Sequence, residues 1–274
     1  MILAIMRCLI LVFVLAIGMI LILLLALVPF RYQRVRLAAW IPMWMSRIVS
    51  WLFRLKVTCT DSEKIRNHHG LLLPNHLSYG DITTMLSVSP VRFLANHGVK
   101  SIPFIGWIAY AIDTVFVDRG DRKSLAEAKR KVSAKLHETP FPPLVIFPEG
   151  AINNGETDNL LPFKLGAFKL ATESDLPFLP VIIQYSHPEV CRWFSDTEDM
   201  YTAMWRLAKD KHRKTAIVRP LEPIPPDPNR RANLVAEETR SLMGLAIREV
   251  ILLKKHGLGD RVRFINGENR CYKL

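Results

Sequence analysis

The sequence predicts an α/β chain: a mixed β-sheet flanked by helices and preceded by N-terminal hydrophobic helices. Three observations carry that expectation. From about residue 58 onward, short apolar runs alternate with helix-length stretches of 3.6-residue periodicity. Ahead of them stands an uncharged apolar run of 23 residues, 8–30. The length of 274 residues, half of them apolar with four scattered cysteines, suits one globular domain with a small attachment. A disordered chain and a disulfide-held miniature fold are both excluded by that composition.

As a helix, residues 8–30 would measure roughly 34 Å, enough for a hydrocarbon core of about 30 Å. A cleaved leader would have a shorter apolar region and a small-residue processing site. This run ends instead in Val28, Pro29, Phe30 and Arg31, so a retained anchor is expected. Residues 37–57 then interleave Trp40, Trp44 and Trp51 with Ile41, Met45, Ile48, Leu52 and Leu55, interrupted by Arg47, Arg54 and Lys56. That pattern suits an amphipathic helix at headgroup depth, with a core-docking helix of the body as the competing reading. The expected division is therefore an anchor over 1–57 and a body over 58–274.

Charge supports the same division. The net charge is +12, yet residues 1–57 hold seven Lys and Arg and no acidic residue. The remainder has 30 basic residues against 25 acidic. A basic excess beside an apolar run points to an anionic bilayer as partner, and no nucleic-acid reading module accompanies it. If the run spans a bilayer, the positive residues after it place the body on the cytoplasmic face. That membrane is the inner membrane in a bacterium and the endoplasmic reticulum in a eukaryote.

Within the body, residues 70–73, 91–94, 114–117, 144–147, 179–185 and 215–218 are expected as strands. Leu125, Ala128, Val132 and Leu136 fall at helical spacing inside 122–137, and 234–253 is a second helix. Pro140, Pro142 and Pro143 cut the chain before one strand, and residues 220–228 form a proline-rich turn. No internal repeat or long linker divides the body.

The residues that carry chemistry follow the ends of expected strands. In Pro74-Asn75-His76-Leu77-Ser78-Tyr79-Gly80-Asp81, an entering helical turn would let His76 face Asp81. A carboxylate on one ring nitrogen fixes the tautomer and leaves the other nitrogen as a general base. With no protein nucleophile in the motif, the pair suits activation of a hydroxyl brought by a substrate. Phe147-Pro148-Glu149-Gly150 offers a carboxylate for polyol hydroxyls beside a glycine that permits close backbone approach. Arg119 ends the strand Val115-Phe116-Val117, where a guanidinium fits a phosphate, and Lys100 adds a second cation. Metal hydrolysis lacks HExxH or a cysteine pair, and serine hydrolysis lacks GxSxG. No resident cofactor or metal is expected.

In chain order these motifs read NHLSYGD (75–81), KSIPFIG (100–106), TVFVDR (114–119), FPEG (147–150) and LPVI (179–182). The series resembles the glycerolipid acyltransferase family that includes 1-acylglycerol-3-phosphate acyltransferases, over residues 71–185. The resemblance implies His76 as general base with Asp81 as its partner, and Arg119, helped by Lys100, on the acceptor's phosphate. It implies Glu149 and Gly150 in acceptor binding, and Pro180 in a fourth block. The acyl donor would be a thioester of coenzyme A or acyl carrier protein. The acceptor would be the lysophospholipid 1-acylglycerol-3-phosphate, and the product phosphatidate. Where the family commonly continues FPEG with Thr or Ser and a basic residue, this chain has Ala151-Ile152-Asn153. That continuation, with residues 163–168, is similar to the lysophosphatidylcholine acyltransferase branch, so another lysophospholipid is the alternative acceptor. A reading of another class is a membrane-anchored lipid-binding scaffold without activity.

Overall fold

The computed structural model describes residues 1–96, 98, 101, 114–117, 122–153, 159–191 and 198–255. The apolar run forms α1 (Ile2–Ala26), which starts before residue 8 and takes Arg7 into the helix. A two-stranded ribbon follows, β1 (Arg31–Tyr32) against β2 (Val35–Arg36), and then α2 (Ile41–Leu52). The helix expected over 37–57 is thus shorter at both ends. Arg54 adopts a left-handed φ of 56° that stops it, and Leu55, Val57 and Cys59 then turn one face of β3 (Leu55–Cys59) toward the core. The expected boundary at 57/58 therefore falls inside a strand.

The chain continues through α3 (Ser62–Asn67), β4 (Leu71–Pro74), α4 (Gly80–Val88), β5 (Arg92–Asn96) and β6 (Val115–Val117). It then forms α5 (Arg122–Glu138), β7 (Leu144–Val145), α6 (Leu165–Glu173), β8 (Phe178–Tyr185) and α7 (Pro188–Cys191). The last described elements are α8 (Met200–Lys209), β9 (Lys214–Pro220) and α9 (Ala232–Lys255). Seven strands make one sheet in the order β3-β9-β8-β4-β7-β5-β6. Every neighbouring pair is parallel except β8 with β9, which makes the sheet mixed as expected.

The central strand β4 explains why the expected strands read as unbroken apolar runs. Leu72 points into a core with Met85 of α4, Val181, Ile183 and Val218, while Leu71 and Leu73 point into the opposite core with Val132, Leu136, Phe168 and Val235. Both faces are covered, so alternation carries no polar signal. Gly70 begins the strand at φ +148°, and a Cβ there would meet the Pro177 carbonyl oxygen at 2.1 Å. Only glycine lets β4 and β8 start so close together.

The N-terminal helices pack on the body along one side. Ala4, Arg7, Gly18 and Ile22 of α1 are buried, whereas Leu9, Phe13 and Leu23 are more than half exposed. Arg7 Nη1 donates to the carbonyls of Ala208 (2.8 Å) and Asp210 (2.6 Å) at the end of α8. There a cation also meets the negative end of the helix dipole. Gly18 lies under Met45 of α2. In turn α2 packs on α4, with Arg47 Nε donating to the Ser87 carbonyl (2.9 Å) and a Ser50–Ser87 hydroxyl contact of 3.2 Å.

Candidate active site

Strands β4, β7 and β8 run parallel, so their C-terminal ends open on one side of the sheet, where α/β proteins gather ligand-binding groups. The chain leaves β4 through Asn75, which is fully buried. Its amide donates to the Ile183 carbonyl (3.0 Å) and its side-chain oxygen accepts the Ile183 N–H (2.7 Å), clipping the exit to β8. His76 follows at once and α4 begins at Gly80, which brings Asp81 into the first helical turn. The helix N-terminus favours a carboxylate there.

His76 Nδ1 lies 2.8 Å from Asp81 Oδ2. The same oxygen accepts the N–H groups of Leu77 (2.6 Å) and Ser78 (2.8 Å), and Oδ1 accepts the hydroxyl proton of Tyr185 (2.7 Å). Asp81 is wholly inaccessible, yet four donors compensate its burial. The imidazole keeps 15% side-chain exposure and stacks on Phe147, with ring centroids 3.9 Å apart at 18°. With Nδ1 held by a carboxylate, Nε2 is the nitrogen left to take a proton. Ser78 Oγ donates to the Cys191 carbonyl and accepts the Gly80 N–H (3.0 Å). It therefore serves the loop backbone.

The sequence expectation offered Glu149 to substrate hydroxyls, and its environment is different. The residue is 2% exposed. Oε1 accepts the His76 N–H (2.7 Å) and Oε2 the Leu161 N–H (2.9 Å). Burial raises its carboxyl above the ordinary range, a shift those two N–H groups oppose. Glu149 thus ties Leu161 to the histidine loop, and the Asn153 N–H on the His76 carbonyl (2.8 Å) adds a second tie. Gly150 takes φ +74° in the turn that makes this possible. Lys100 and Arg119 lie outside the described residues. Among the described residues no three His, Cys, Asp or Glu side chains cluster as metal ligands would.

Sequence reasoning overlooked the role of Tyr185, although it ends an expected strand. The available signal was a hydroxyl at the C-terminal end of an otherwise apolar run, where parallel strands deliver site residues. Asn75 and Phe147 stood inside recognised motifs without an assigned role.

Comparison with known proteins gives the chain its relatives. Residues 56–184 match a family model described as Acyltransferase. A lyso-ornithine lipid O-acyltransferase of Pseudomonas aeruginosa is 30% identical over 218 residues, 78% of this chain and 79% of that protein. A 1-acyl-sn-glycerol-3-phosphate acyltransferase of Saccharomyces cerevisiae is 28% identical over 138 residues, covering 50% of this chain and 45% of that protein. The crystal structure of the 1-acyl-sn-glycerophosphate (LPA) acyltransferase PlsC from Thermotoga maritima shares the fold. Its TM-score is 0.65 at 17% identity, over 90% of this chain and 95% of that one. Five ordered motifs, a His–Asp pair at the strand ends and a matching fold lead to one assignment: the chain belongs to the glycerolipid and lysophospholipid O-acyltransferase family related to 1-acylglycerol-3-phosphate acyltransferases.

Proposed function

We propose that the protein transfers a fatty acyl group from an acyl thioester, of coenzyme A or acyl carrier protein, to the free hydroxyl of 1-acylglycerol-3-phosphate. The single observation that carries the chemistry is the buried Asp81 carboxylate on Nδ1 of a partly exposed His76. His76 Nε2 takes the hydroxyl proton as that oxygen attacks the thioester carbonyl carbon. Asp81 stabilises the imidazolium that forms. The tetrahedral adduct collapses by breaking the C–S bond, and the thiolate takes the proton from the imidazolium. Lys100 and Arg119 bind the acceptor's phosphate, which sets the attacking oxygen at reacting distance. Glu149 and Gly150 act on the acceptor through the loop they shape beneath His76.

The N-terminal helices fit a lipid substrate. Extracting a lysolipid's acyl chain costs roughly 0.8 kcal/mol per CH₂, which an enzyme resting on the bilayer avoids. In this reading α1, held at Arg7 to the end of α8 and packed at Gly18 against Met45 of α2, rests in one leaflet with the exposed Trp44, Ile48 and Trp51 of α2.

A second acceptor has a specific observation in its favour. The Pseudomonas relative named for lyso-ornithine lipid aligns over nearly four fifths of both chains. Purified full-length protein offered acyl-coenzyme A with 1-acylglycerol-3-phosphate, lyso-ornithine lipid, lysophosphatidylcholine and glycerol-3-phosphate in parallel decides between them. Fastest transfer to 1-acylglycerol-3-phosphate, with Arg119→Ala raising its KM about tenfold or more, is the expected result. Preference for lyso-ornithine lipid with an indifferent Arg119→Ala variant selects the second acceptor.

A further inference from the structure

From the Tyr185–Asp81 contact we infer that Tyr185 is a positioning residue for the His–Asp pair, the far end of a hydrogen-bonded chain running Thr84, Tyr185, Asp81, His76. The inference rests on the catalytic reading of His76 given above. Asp81 Oδ2 takes three N–H donors, whereas Oδ1 takes the phenol of Tyr185 at 2.7 Å. An ionised carboxylate only accepts, so the phenol proton points at Asp81. Thr84 Oγ1 lies 3.2 Å from the same phenol oxygen and is then the donor in that contact. Thr84 sits one turn beyond Asp81 in α4 and is fully buried, so the chain closes within one helix and one strand.

Each donor behind Asp81 holds negative charge on Oδ1 and fixes the rotation of the carboxylate about its Cβ–Cγ bond. Oδ2 is thereby kept on His76 and the two loop N–H groups. Burial and the neighbouring Asp81 charge hold the phenol well above its ordinary ionisation range, so it remains a donor at any working pH. Among the described residues, the other ionisable groups facing this chain are Glu149, whose carboxylate accepts the His76 N–H, and Cys191 of α7, whose thiol burial pushes up to about 12. Neither replaces the phenol as a donor to Oδ1: Glu149 spends both oxygens on backbone N–H groups, and no thiol contact to Asp81 is formed among the described hydrogen bonds.

Removing the phenol oxygen concentrates charge on the remaining carboxylate contacts, which stabilises the protonated imidazole and loosens the carboxylate's orientation. For Tyr185→Phe in the full chain, the acid limb of the kcat/KM profile is expected to move up by about half a pH unit or more, and kcat to fall about tenfold with both KM values within twofold. Thr84→Val, which leaves the phenol in place, is expected to move the limb the same way by less. An unmoved limb in a folded Tyr185→Phe enzyme overturns the inference. So does an equal loss at every pH with a lowered melting temperature, the mark of lost packing alone. Should Tyr185→Phe not fold, an unmoved limb in Thr84→Val overturns it. His76→Ala run beside them separates the two claims: retained transfer there removes the catalytic reading and the inference with it, whereas an inactive His76→Ala with an unmoved Tyr185→Phe limb removes the inference alone.

Discussion

The His76 loop and the N-terminal helices are built by opposite means. Around His76, buried polar atoms are matched donor to acceptor: Asp81 takes four donors, Glu149 two, and Asn75 spends both ends of its amide on Ile183. Along α1 and α2, the exposed side chains other than Arg47 are apolar, and the side-chain hydrogen bonds come from Arg7, Arg47 and Ser50. The first region holds a geometry to fractions of an ångström, because each unmade buried hydrogen bond costs about 1–3 kcal/mol. The second offers area without direction, which suits a fluid surface. The two meet at α4, which carries Asp81 in its first turn and receives α2 along its side.

The largest break in that contrast should come from His76→Ala. Loss of a general base typically removes 10²–10⁴-fold of rate, and we expect at least about 10³-fold here. The imidazole is at the edge of the core, so the melting temperature should stay near the parent's. A thermal melt beside the transfer assay checks both, and an unfolded variant would show that the site is more structural than described. Glu149→Gln comes next. One backbone N–H, of His76 or Leu161, then faces an amide NH₂ instead of an oxygen. Stability should drop by about 1–3 kcal/mol, read as a lower denaturant midpoint, together with a fall in kcat.

Replacing Trp44, Ile48 and Trp51 together by serine sharpens the other half of the comparison. Transfer on vesicle-borne lysolipid should fall about tenfold, a loss of lipid-facing apolar area, while transfer on detergent-dispersed lysolipid stays within twofold. Equal losses in both assays would mean that these side chains support the fold. This triple variant is a cleaner probe than deletion of 1–57, which would cut into β3 and strip α2 from α4.

The effect with the least bearing on activity concerns His68, buried at the end of α3 with Nε2 lacking a hydrogen-bond partner. Burial lowers its imidazole from 6.5 to about 4. The unfolded chain therefore binds a proton first as the pH falls. Stability that is full above pH 6.5 declines toward pH 4, by about 2–3 kcal/mol for a shift of this size. Parallel denaturant titrations of the parent and His68→Gln at pH 7 and pH 4.5 should show that decline in the parent and a shallower one in the variant.

Much of the fold was legible because its signals are local. The expected strands at 70–73 and 179–185 correspond to β4 and β8 within one residue, and Ala128, Val132 and Leu136 line the buried face of α5 as their spacing required. The turn after Leu52 was not legible. Residues 53–57 continue the helix's apolar spacing, and only the left-handed Arg54 and the pairing of β3 with β9, more than 150 residues away, convert them to a strand. By contrast, His76 and Asp81 stand five residues apart, so one local turn suffices to join them and the sequence could offer the contact.

Short-range patterning by itself determined the class of the fold, the apolar N-terminus and the histidine–aspartate motif, since each depends on residues within one or two turns of chain. Only the tertiary structure decided that Tyr185 completes the carboxylate's partners, that Glu149 turns inward to backbone N–H groups, and that α1 lies against the body. Those facts depend on which strand ends become neighbours in the sheet and on which face of a helix finds a docking surface. Both are settled by long-range packing, where buried polar groups must find partners wherever the folded chain supplies them.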